Sequence, residues 1–157
     1  MTGKRPATDF KERHPKTPIG RISGDTYLPY TDNLSHVFLT GNLQAPSPHP
    51  HFCDDRLELI YCKYRPGDNG VFHWHDAITE YQIVISGAFG VREAASGCVT
   101  WFGPGDVSLI PAGVCIERLI KTETTTVAVK VPSVPGDKIH CSDCVRSCQS
   151  RQKPYKE

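Results

Sequence analysis

The sequence predicts an all-β fold, a sandwich or barrel assembled from short strands. From Arg56 onward, short runs rich in Val, Ile, Thr and aromatic residues alternate with clusters of turn residues. No long run shows the apolar spacing of an amphipathic helix. The 13 glycines and 13 prolines make turns frequent, and 157 residues are enough for one domain with its own core.

The predicted strands follow one another closely along the chain. A weak strand signal covers residues 34–40, and a Pro-rich loop separates it from the stronger runs. The connecting segments, such as RPGDNG and GPG, contain the Gly, Pro, Asp and Asn residues that tight turns prefer. The stronger runs cover residues 56–64, 70–75, 80–87, 89–93, 98–102, 106–111, 114–121 and 124–132.

Three segments of the chain differ in composition. Residues 1–33 are polar and rich in proline, so we expect a flexible or peripheral N-terminal arm. Residues 34–135 contain every predicted strand and form the predicted barrel. Residues 136–157 leave the β pattern and are first rich in cysteine and then basic, which predicts a separate C-terminal tail.

The charge balance argues against two classes of partner. With 18 basic and 17 acidic side chains the net charge is +1, so we expect binding neither to nucleic acid nor to an anionic membrane. No apolar stretch is long enough to span a membrane, and the polar N-terminus does not resemble a signal peptide. We therefore expect a soluble, cytoplasmic protein. Its seven cysteines are then free thiols or metal ligands rather than a disulfide framework.

The segment FHWHDAITEYQIVISG (residues 72–87) contains a candidate metal site. Residues two apart on a strand project from the same face, so His73 and His75 point the same way, and Glu80 begins the next strand. Two imidazoles and one carboxylate suit Fe(II), Mn, Ni, Co or Zn, and three protein ligands leave coordination positions open for a substrate. The structural alternative is that one histidine is buried and satisfied while the other is exposed.

The same segment resembles the first motif of the cupin superfamily. The resemblance lies in His73-x-His75, then four residues, Glu80, six residues and Gly87. It implies a jelly-roll, or double-stranded β-barrel, similar to the cupin type-2 domains. It also implies a fold that serves dioxygenases, isomerases, decarboxylases and lyases. Such barrels often pair through a sheet, so the resemblance further implies a homodimer.

The run GDVSLIPAGVCI resembles the second cupin motif, with one departure. Gly105, five residues and Pro111-x-Gly113 are present, but Ile116 occupies the position that usually carries the fourth ligand, a histidine. Three interpretations follow from this departure. The metal is held by the first-motif residues alone; or a bulge turns Glu117 or Cys115 inward as a substitute; or the barrel has become a metal-free pocket.

Two further side chains are candidates for contact with the substrate. Gln82 follows Glu80 inward by strand alternation, and Arg118 follows Ile116 inward if its strand keeps its register. An inward arginine pairs well with a carboxylate on the substrate. The alternative is that Arg118 reaches solvent at the mouth of the barrel.

The C-terminal tail contains a second candidate metal site. Cys141, Cys144 and Cys148 include a C-x-x-C pair, and either His140 or Cys53 is a possible fourth ligand for zinc. The alternatives are a redox-active thiol pair and a tail with no specific role.

These observations lead to two hypotheses of function. The first is a metal-dependent enzyme acting on a small, carboxylate-bearing molecule. For it we favour Fe(II) over Mn, Ni or Zn, and a dioxygenase reaction, because an open site leaves room for oxygen. The second is a non-catalytic module that binds a small molecule or senses metal or redox state. Replacement of the fourth ligand favours the module, whereas the intact first motif favours the enzyme.

Overall fold

The computed structural model describes residues 20–45 and 47–141. In this part of the chain, ten strands form two antiparallel sheets of five strands each. One sheet has the order β1-β2-β9-β4-β7, and the other has the order β10-β3-β8-β5-β6. The strands are β1 His36–Thr40, β2 Glu58–Tyr64, β3 His73–His75, β4 Thr79–Ser86, β5 Phe89–Glu93, β6 Val99–Phe102, β7 Val107–Ile110, β8 Ile116–Ile120, β9 Thr124–Val131 and β10 Lys138–His140.

The predicted all-β class is confirmed, and each of the nine predicted runs coincides with one strand, β1 to β9. Alternation of burial explains the agreement, because β2 alternates strictly between buried and half-buried residues along its length. Gly87 closes the β4–β5 turn at φ +76°, where a Cβ atom would lie 2.2 Å from the Glu123 carbonyl oxygen. Only glycine fits there.

Strand β10 was not predicted. The sequence analysis places residues 136–157 in a tail outside the barrel, whereas Lys138–His140 pair with β3. Three residues are too few to show an alternation, and the strand is defined by its partner. Residues 142–157, with Cys144 and Cys148, lie outside the described residues, as do residues 1–19.

Within the segment predicted as an N-terminal arm, a helical turn α1 (Gly24–Tyr27) runs directly into a 3₁₀-helix (Leu28–Asp32). The Tyr27 ring packs edge-on against Tyr61 of β2, with ring centroids 5.7 Å apart. This packing ties the end of the segment to the outside of the first sheet. Among the described residues, no helix is long and apolar enough to cross a membrane.

The core lies between the two sheets. Ile60, Val84 and Ala128 from the first sheet pack with Phe89 and Ile120 from the second, and all five are almost fully buried. We call this cluster, together with Cys62, the apolar end of the barrel interior. We call the opposite end, where the same strands carry charged and polar residues, the polar end. Its members are Glu58, His73, His75, Glu80, Gln82, Arg118 and Lys130.

Candidate functional site

The short strand β3 carries both histidines of the first motif into the barrel. His73 is 4% exposed and His75 is 7% exposed, which excludes the alternative with one exposed histidine. Their rings lie edge to face with centroids 5.7 Å apart. Directly after β3, the Asp137 carboxylate accepts hydrogen bonds from the backbone N–H groups of Ala77 and Ile78. These bonds fix the turn that follows His75.

The hydrogen bonding of the two imidazoles leaves ring nitrogens available. His73 Nδ1 lies 2.8 Å from the Val71 carbonyl oxygen, which can only accept, so Nδ1 carries the proton and Nε2 keeps its lone pair. Both ring nitrogens of His75 are buried with no hydrogen-bond partner among the described residues. The Asp137 carboxylate is close, with Oδ2 3.7 Å from His75 Nδ1, but this is too long for a hydrogen bond. A buried imidazole without a hydrogen bond is costly, so His75 is a natural place for a ligand or a metal.

Both histidines are neutral near pH 7. Burial lowers the pKa of His73 to about 3, and the charge of Lys138 contributes in the same direction. Burial, and then the charge of Lys130, lowers the pKa of His75 to about 4. Neutral imidazole is the form that binds divalent metals.

Glu80 is held as a buried carboxylate by two cations. Arg118 Nη2 lies 2.9 Å from Oε1, and Lys130 Nζ lies 3.6 Å from Oε2. Burial alone would raise the pKa of Glu80, but the charges of Arg118 and Lys130 outweigh it and lower the pKa to about 2. Glu80 is therefore ionised at any physiological pH.

The two predicted substrate-contacting side chains both face the interior. Arg118 is 7% exposed and also donates to Gln82 Oε1 at 3.3 Å, so it does not reach solvent at the barrel mouth. Gln82 in turn donates to Tyr64 and Thr126. The Arg118 guanidinium is thus occupied by protein groups on the side that faces Glu80. Its Nε, however, is buried with no hydrogen-bond partner among the described residues.

The structure contradicts the bulge that would replace the missing fourth ligand. Strand β8 pairs with β5 in unbroken register, and Ile116, only 3% exposed, lies opposite His73. Glu117 points away from the site, where Arg92 Nε donates to its carboxylate at 2.8 Å. The Sγ atom of Cys115 lies beside that of Cys141. Neither Glu117 nor Cys115 is a substitute ligand.

The structure brings a third histidine to the site. His140 lies directly opposite His73 in the β10–β3 pair, so both side chains project from the same face, with ring centroids 6.4 Å apart. Its Nδ1 is buried with no hydrogen-bond partner among the described residues. The sequence analysis gave His140 as one of two possible fourth ligands for a cysteine site in the tail, the other being Cys53. Nothing local in the sequence signals its true neighbours, because they depend on the pairing of β10.

A cavity of about 380 Å³ opens beside His75. Its lining includes the side chains of Lys130 and Lys138 as well as Glu58 and His36. The two lysines were missed in the sequence analysis, although Lys130 follows the inward alternation of β9 through Ala128 and was open to prediction. A pocket of this size accommodates a small organic ligand, and two ammonium groups in its wall favour an anion.

The donor set is compatible with a divalent metal, although it is not assembled as a metal centre. Among the described residues, no group of three or more His, Cys, Asp or Glu side chains converges closely enough to hold an ion. The orphaned nitrogens of His75 and the free Nε2 of His73 nevertheless suit one. Each Glu80 oxygen keeps a lone pair beside its cationic partner.

The predicted tail site is only partly described. Cys141 is buried, at the end of β10, whereas Cys53 is exposed in the loop before β2. Cys144 and Cys148 lie outside the described residues, so the zinc prediction stays a prediction.

Three solved structures illustrate what the fold resembles. The DMSP lyase DddQ from Ruegeria pomeroyi DSS-3 is 15% identical with a TM-score of 0.56, over 80% of this chain and 62% of DddQ. Oxalate decarboxylase from Bacillus subtilis is 19% identical with a TM-score of 0.50, over 57% of this chain and 25% of that enzyme. An RmlC-like cupin from Shewanella frigidimarina NCIMB 400 is 20% identical with a TM-score of 0.45, over 50% of this chain and 68% of that protein.

The chain has the cupin-type double-stranded β-barrel fold that its two sequence motifs predicted, as its two five-stranded sheets and its likeness to DddQ and oxalate decarboxylase show. No protein-family model matches the sequence, and no curated protein sequence matches it. Identities this low show the fold and not the reaction. The activities of DddQ and oxalate decarboxylase therefore belong to those proteins, of which this chain covers 62% and 25%.

Proposed function

We propose that this chain is a metal-dependent enzyme acting on a small, carboxylate-bearing molecule. The observation that carries the proposal is the pair of buried, neutral imidazoles on β3, one of which has no hydrogen-bond partner among the described residues. His73, His75 and Glu80 would hold the metal. When bound, a divalent metal would polarise the substrate or, if it is Fe(II), support dioxygen chemistry, and we favour the dioxygenase reaction.

The chain's own residues divide the remaining tasks. Lys130 and Lys138 line the cavity beside His75 and would attract the substrate carboxylate. Arg118 Nη2 fixes the orientation of Glu80 through its hydrogen bond, and the same nitrogen donates to Gln82 Oε1, which holds the guanidinium in place. The apolar lining of the cavity, which includes Phe38 and Ile78, would exclude water from around the bound anion.

His140 is a further candidate ligand within this proposal. It flanks His73 on the side opposite Ile116, so the barrel carries a histidine next to His73 although the usual position has none. A three-histidine set would leave Glu80 to Arg118 and Lys130, the cations with which it is paired.

The alternative function is a non-catalytic module that binds a small anion. The ion pairs of Glu80 favour it, since a carboxylate already neutralised by two cations has less need of a metal. In this case the cavity binds its ligand through Lys130 and Lys138 and no turnover follows.

Metal content tests the proposal directly. We expect protein purified without oxygen to contain about one Fe, Mn, Ni or Zn ion per chain by plasma mass spectrometry, and His75→Ala to abolish that content. His51→Ala is the matched control, because His51 lies in the loop before β2 and does not line the cavity. Two further variants distinguish the ligand sets. If His140 is the third ligand, His140→Ala lowers the metal content and Glu80→Gln does not. If Glu80 is the third ligand, the reverse holds.

Two outcomes would count against the enzyme. A wild-type protein that takes up no metal after reconstitution, or a content that His75→Ala does not change, contradicts the metal site. A panel of small carboxylates that bind tightly by calorimetry without turnover or oxygen consumption supports the module instead.

We also propose a homodimer formed through the first sheet. The outer faces of β4 and β7 carry neighbouring apolar side chains: Tyr81 lies opposite Leu109, and Ile83 lies opposite Val107. Each of the four is at least 39% exposed. Apolar side chains that are scattered singly over a surface need no explanation, but these four are contiguous. A contiguous patch of this kind can pack against the same patch of a second copy.

Light scattering tests the dimer. We expect the wild type at twice 17.4 kDa and Ile83→Lys as a monomer. Val71→Lys is the control, because Val71 is 61% exposed outside this face. A wild-type monomer at high concentration would contradict the dimer and leave the metal proposal untouched.

A further inference from the structure

The cavity beside His75 presents an acidic side chain as well as basic ones. Among the described residues that line it, Glu58 is the only carboxylate. Glu58 is 7% exposed and belongs to β2 of the first sheet, whereas Lys138 belongs to β10 of the second. A ligand in this cavity therefore meets a carboxyl group on one wall and an ammonium group on the other.

The carboxyl group of Glu58 is held in place through one of its oxygens. The backbone N–H of Asn42 donates to Ser133 Oγ at 2.8 Å, and Ser133 Oγ donates to Glu58 Oε1 at 3.2 Å. The stem of the side chain packs against Gly41, where a Cβ atom would lie 3.0 Å from Glu58 Cγ. The other oxygen, Oε2, forms no hydrogen bond among the described residues, yet it is not sealed inside the protein. Glu58 is thus oriented by the chain and keeps one oxygen for a ligand.

We propose that the cavity binds a small hydroxycarboxylic acid and that Glu58 selects it through a hydrogen bond to the hydroxyl group. The inference rests on the proposed function, which places the carboxylate of a small molecule in this cavity, and adds the group that accompanies the carboxylate. Lys130 is already paired with Glu80, whereas Lys138 forms no ion pair among the described residues. Lys138 is therefore the cation that binds the ligand carboxylate, and Glu58 Oε2 contacts the hydroxyl.

A hydroxyl group fits Glu58 better than an ammonium group does. Burial raises the pKa of Glu58, and the charge of Lys130 opposes that rise. A hydroxyl group donates to an ionised carboxylate and accepts from a protonated one, so it pairs with Glu58 in both forms. A ligand ammonium would lie in the same cavity as the ammonium groups of Lys130 and Lys138, which repel it. A ligand with neither group would leave a buried carboxyl oxygen without a hydrogen bond.

Calorimetry with matched ligands tests the inference. Full-length protein is titrated with lactate, propionate and alanine, and then with malate, succinate and aspartate, so that each hydroxy acid has a deoxy and an amino counterpart on the same carbon frame. We expect at least one hydroxy acid to bind about 10-fold or more tightly than both of its counterparts, the effect of a hydrogen bond to a charged group. Binding requires no turnover, so the test applies whether or not the chain is an enzyme.

Variants of Glu58 assign the preference to this side chain. Glu58→Leu should bind the hydroxy acid and its deoxy counterpart equally, and Glu58→Gln, which keeps an amide oxygen and an N–H group, should retain part of the preference. Glu123→Leu is the matched control and should bind as the wild type does, because Glu123 is exposed and does not line the cavity. Thermal unfolding shows whether Glu58→Leu is folded, and Glu58→Gln decides the assignment if it is not.

The outcomes separate this inference from the proposed function. Hydroxy acids that bind no more tightly than their deoxy or amino counterparts overturn the inference and leave a carboxylate-binding cavity. A preference of the same size in Glu58→Leu also overturns it, because another group then binds the hydroxyl. If none of the six ligands binds, both the inference and the binding of a small carboxylate are contradicted.

Discussion

The two ends of the barrel interior are built on the same strands but lined by opposite kinds of side chain. On β4, Glu80 lies at the polar end and Val84, four residues on, at the apolar end. On β8 the same change occurs between Arg118 and Ile120. The apolar end is packed by Phe89, which stacks on Phe102 with ring centroids 5.3 Å apart.

The difference separates stability from function. Burial of apolar side chains stabilises the fold. For a buried ion pair, the cost of removing both charges from water offsets the attraction between them or exceeds it. A barrel that served only as a scaffold would be more stable if apolar side chains filled its polar end. The buried ion pairs of Glu80 and the ring nitrogens of His75, which form no hydrogen bond among the described residues, are therefore the features to test for function, and the apolar end is the reference.

The largest expected effect lies at the apolar end. Phe89→Ala removes a fully buried ring and leaves a cavity beside Phe102, so we expect a loss of about 3–5 kcal/mol in the free energy of unfolding. Denaturation with urea measures it. The metal content of the remaining folded fraction should not change, and a loss of metal in that fraction would show that the two ends are not separable.

The next effect lies at the polar end. Arg118→Ala leaves Glu80 buried with Lys130 as its remaining cationic partner, and we expect a loss of about 3 kcal/mol. The pKa of Glu80 should rise, because its nearest positive charge is gone. Combining Arg118→Met with Glu80→Gln should restore part of the stability. A double variant no more stable than Arg118→Ala would contradict this account of the ion pair.

Acid should weaken the polar end through its histidines. The unfolded chain protonates them below about pH 6.5, whereas the folded chain keeps His73 and His75 neutral down to about 3 and 4. Stability is thus full above about pH 6.5 and falls as the pH drops, by about 2 kcal/mol per histidine at about pH 5. The contribution of the Glu80 carboxylate is lost only lower, between 4.5 and about 2.

Urea denaturation of chelator-treated protein at several pH values checks this expectation. Burial also lowers the pKa of His36, to about 3, so three histidines share the loss of stability between neutral pH and about pH 5. His75→Gln should therefore remove about a third of that loss, and His51→Gln should remove none. An equal loss in His75→Gln and wild type would show that His75 is not the titrating group.

The smallest effect belongs to a second arginine–glutamate pair on the outside of the barrel. Arg92 and Glu117 join β5 to β8 as Arg118 and Glu80 join the two sheets, but their side chains are 17% and 19% exposed. Arg92→Ala should cost about 1 kcal/mol or less, because water partly replaces the lost partner. A cost equal to that of Arg118→Ala would remove the distinction between the inner and outer pairs.

Much of the candidate site was predictable because strand alternation is a local rule. The inward direction of His73, His75, Glu80 and Gln82 follows from a period of two residues, and the φ of Gly87 fits its place in the motif. Arg118 was placed inward by the same rule once the register of β8 was assumed, and the structure confirms that register.

What alternation cannot give is the partner of a side chain on another strand. The contact of Arg118 with Glu80 spans 38 residues, and that of Cys115 with Cys141 spans 26. Whether Glu80 faces a metal or a guanidinium depends on how two sheets pack. That packing is the sum of many weak contacts, none of which the local sequence encodes.

The sequence by itself thus determined the positions of nine strands along the chain, the inward direction of the motif side chains and the absence of the usual fourth histidine. Only the tertiary structure decided that β10 joins the second sheet, that His140 lies beside His73 and that two lysines line the cavity next to His75. The physical reason is that an edge strand of three residues has no pattern of its own. It forms because β3 offers unpaired backbone groups, and those exist only once the barrel has formed.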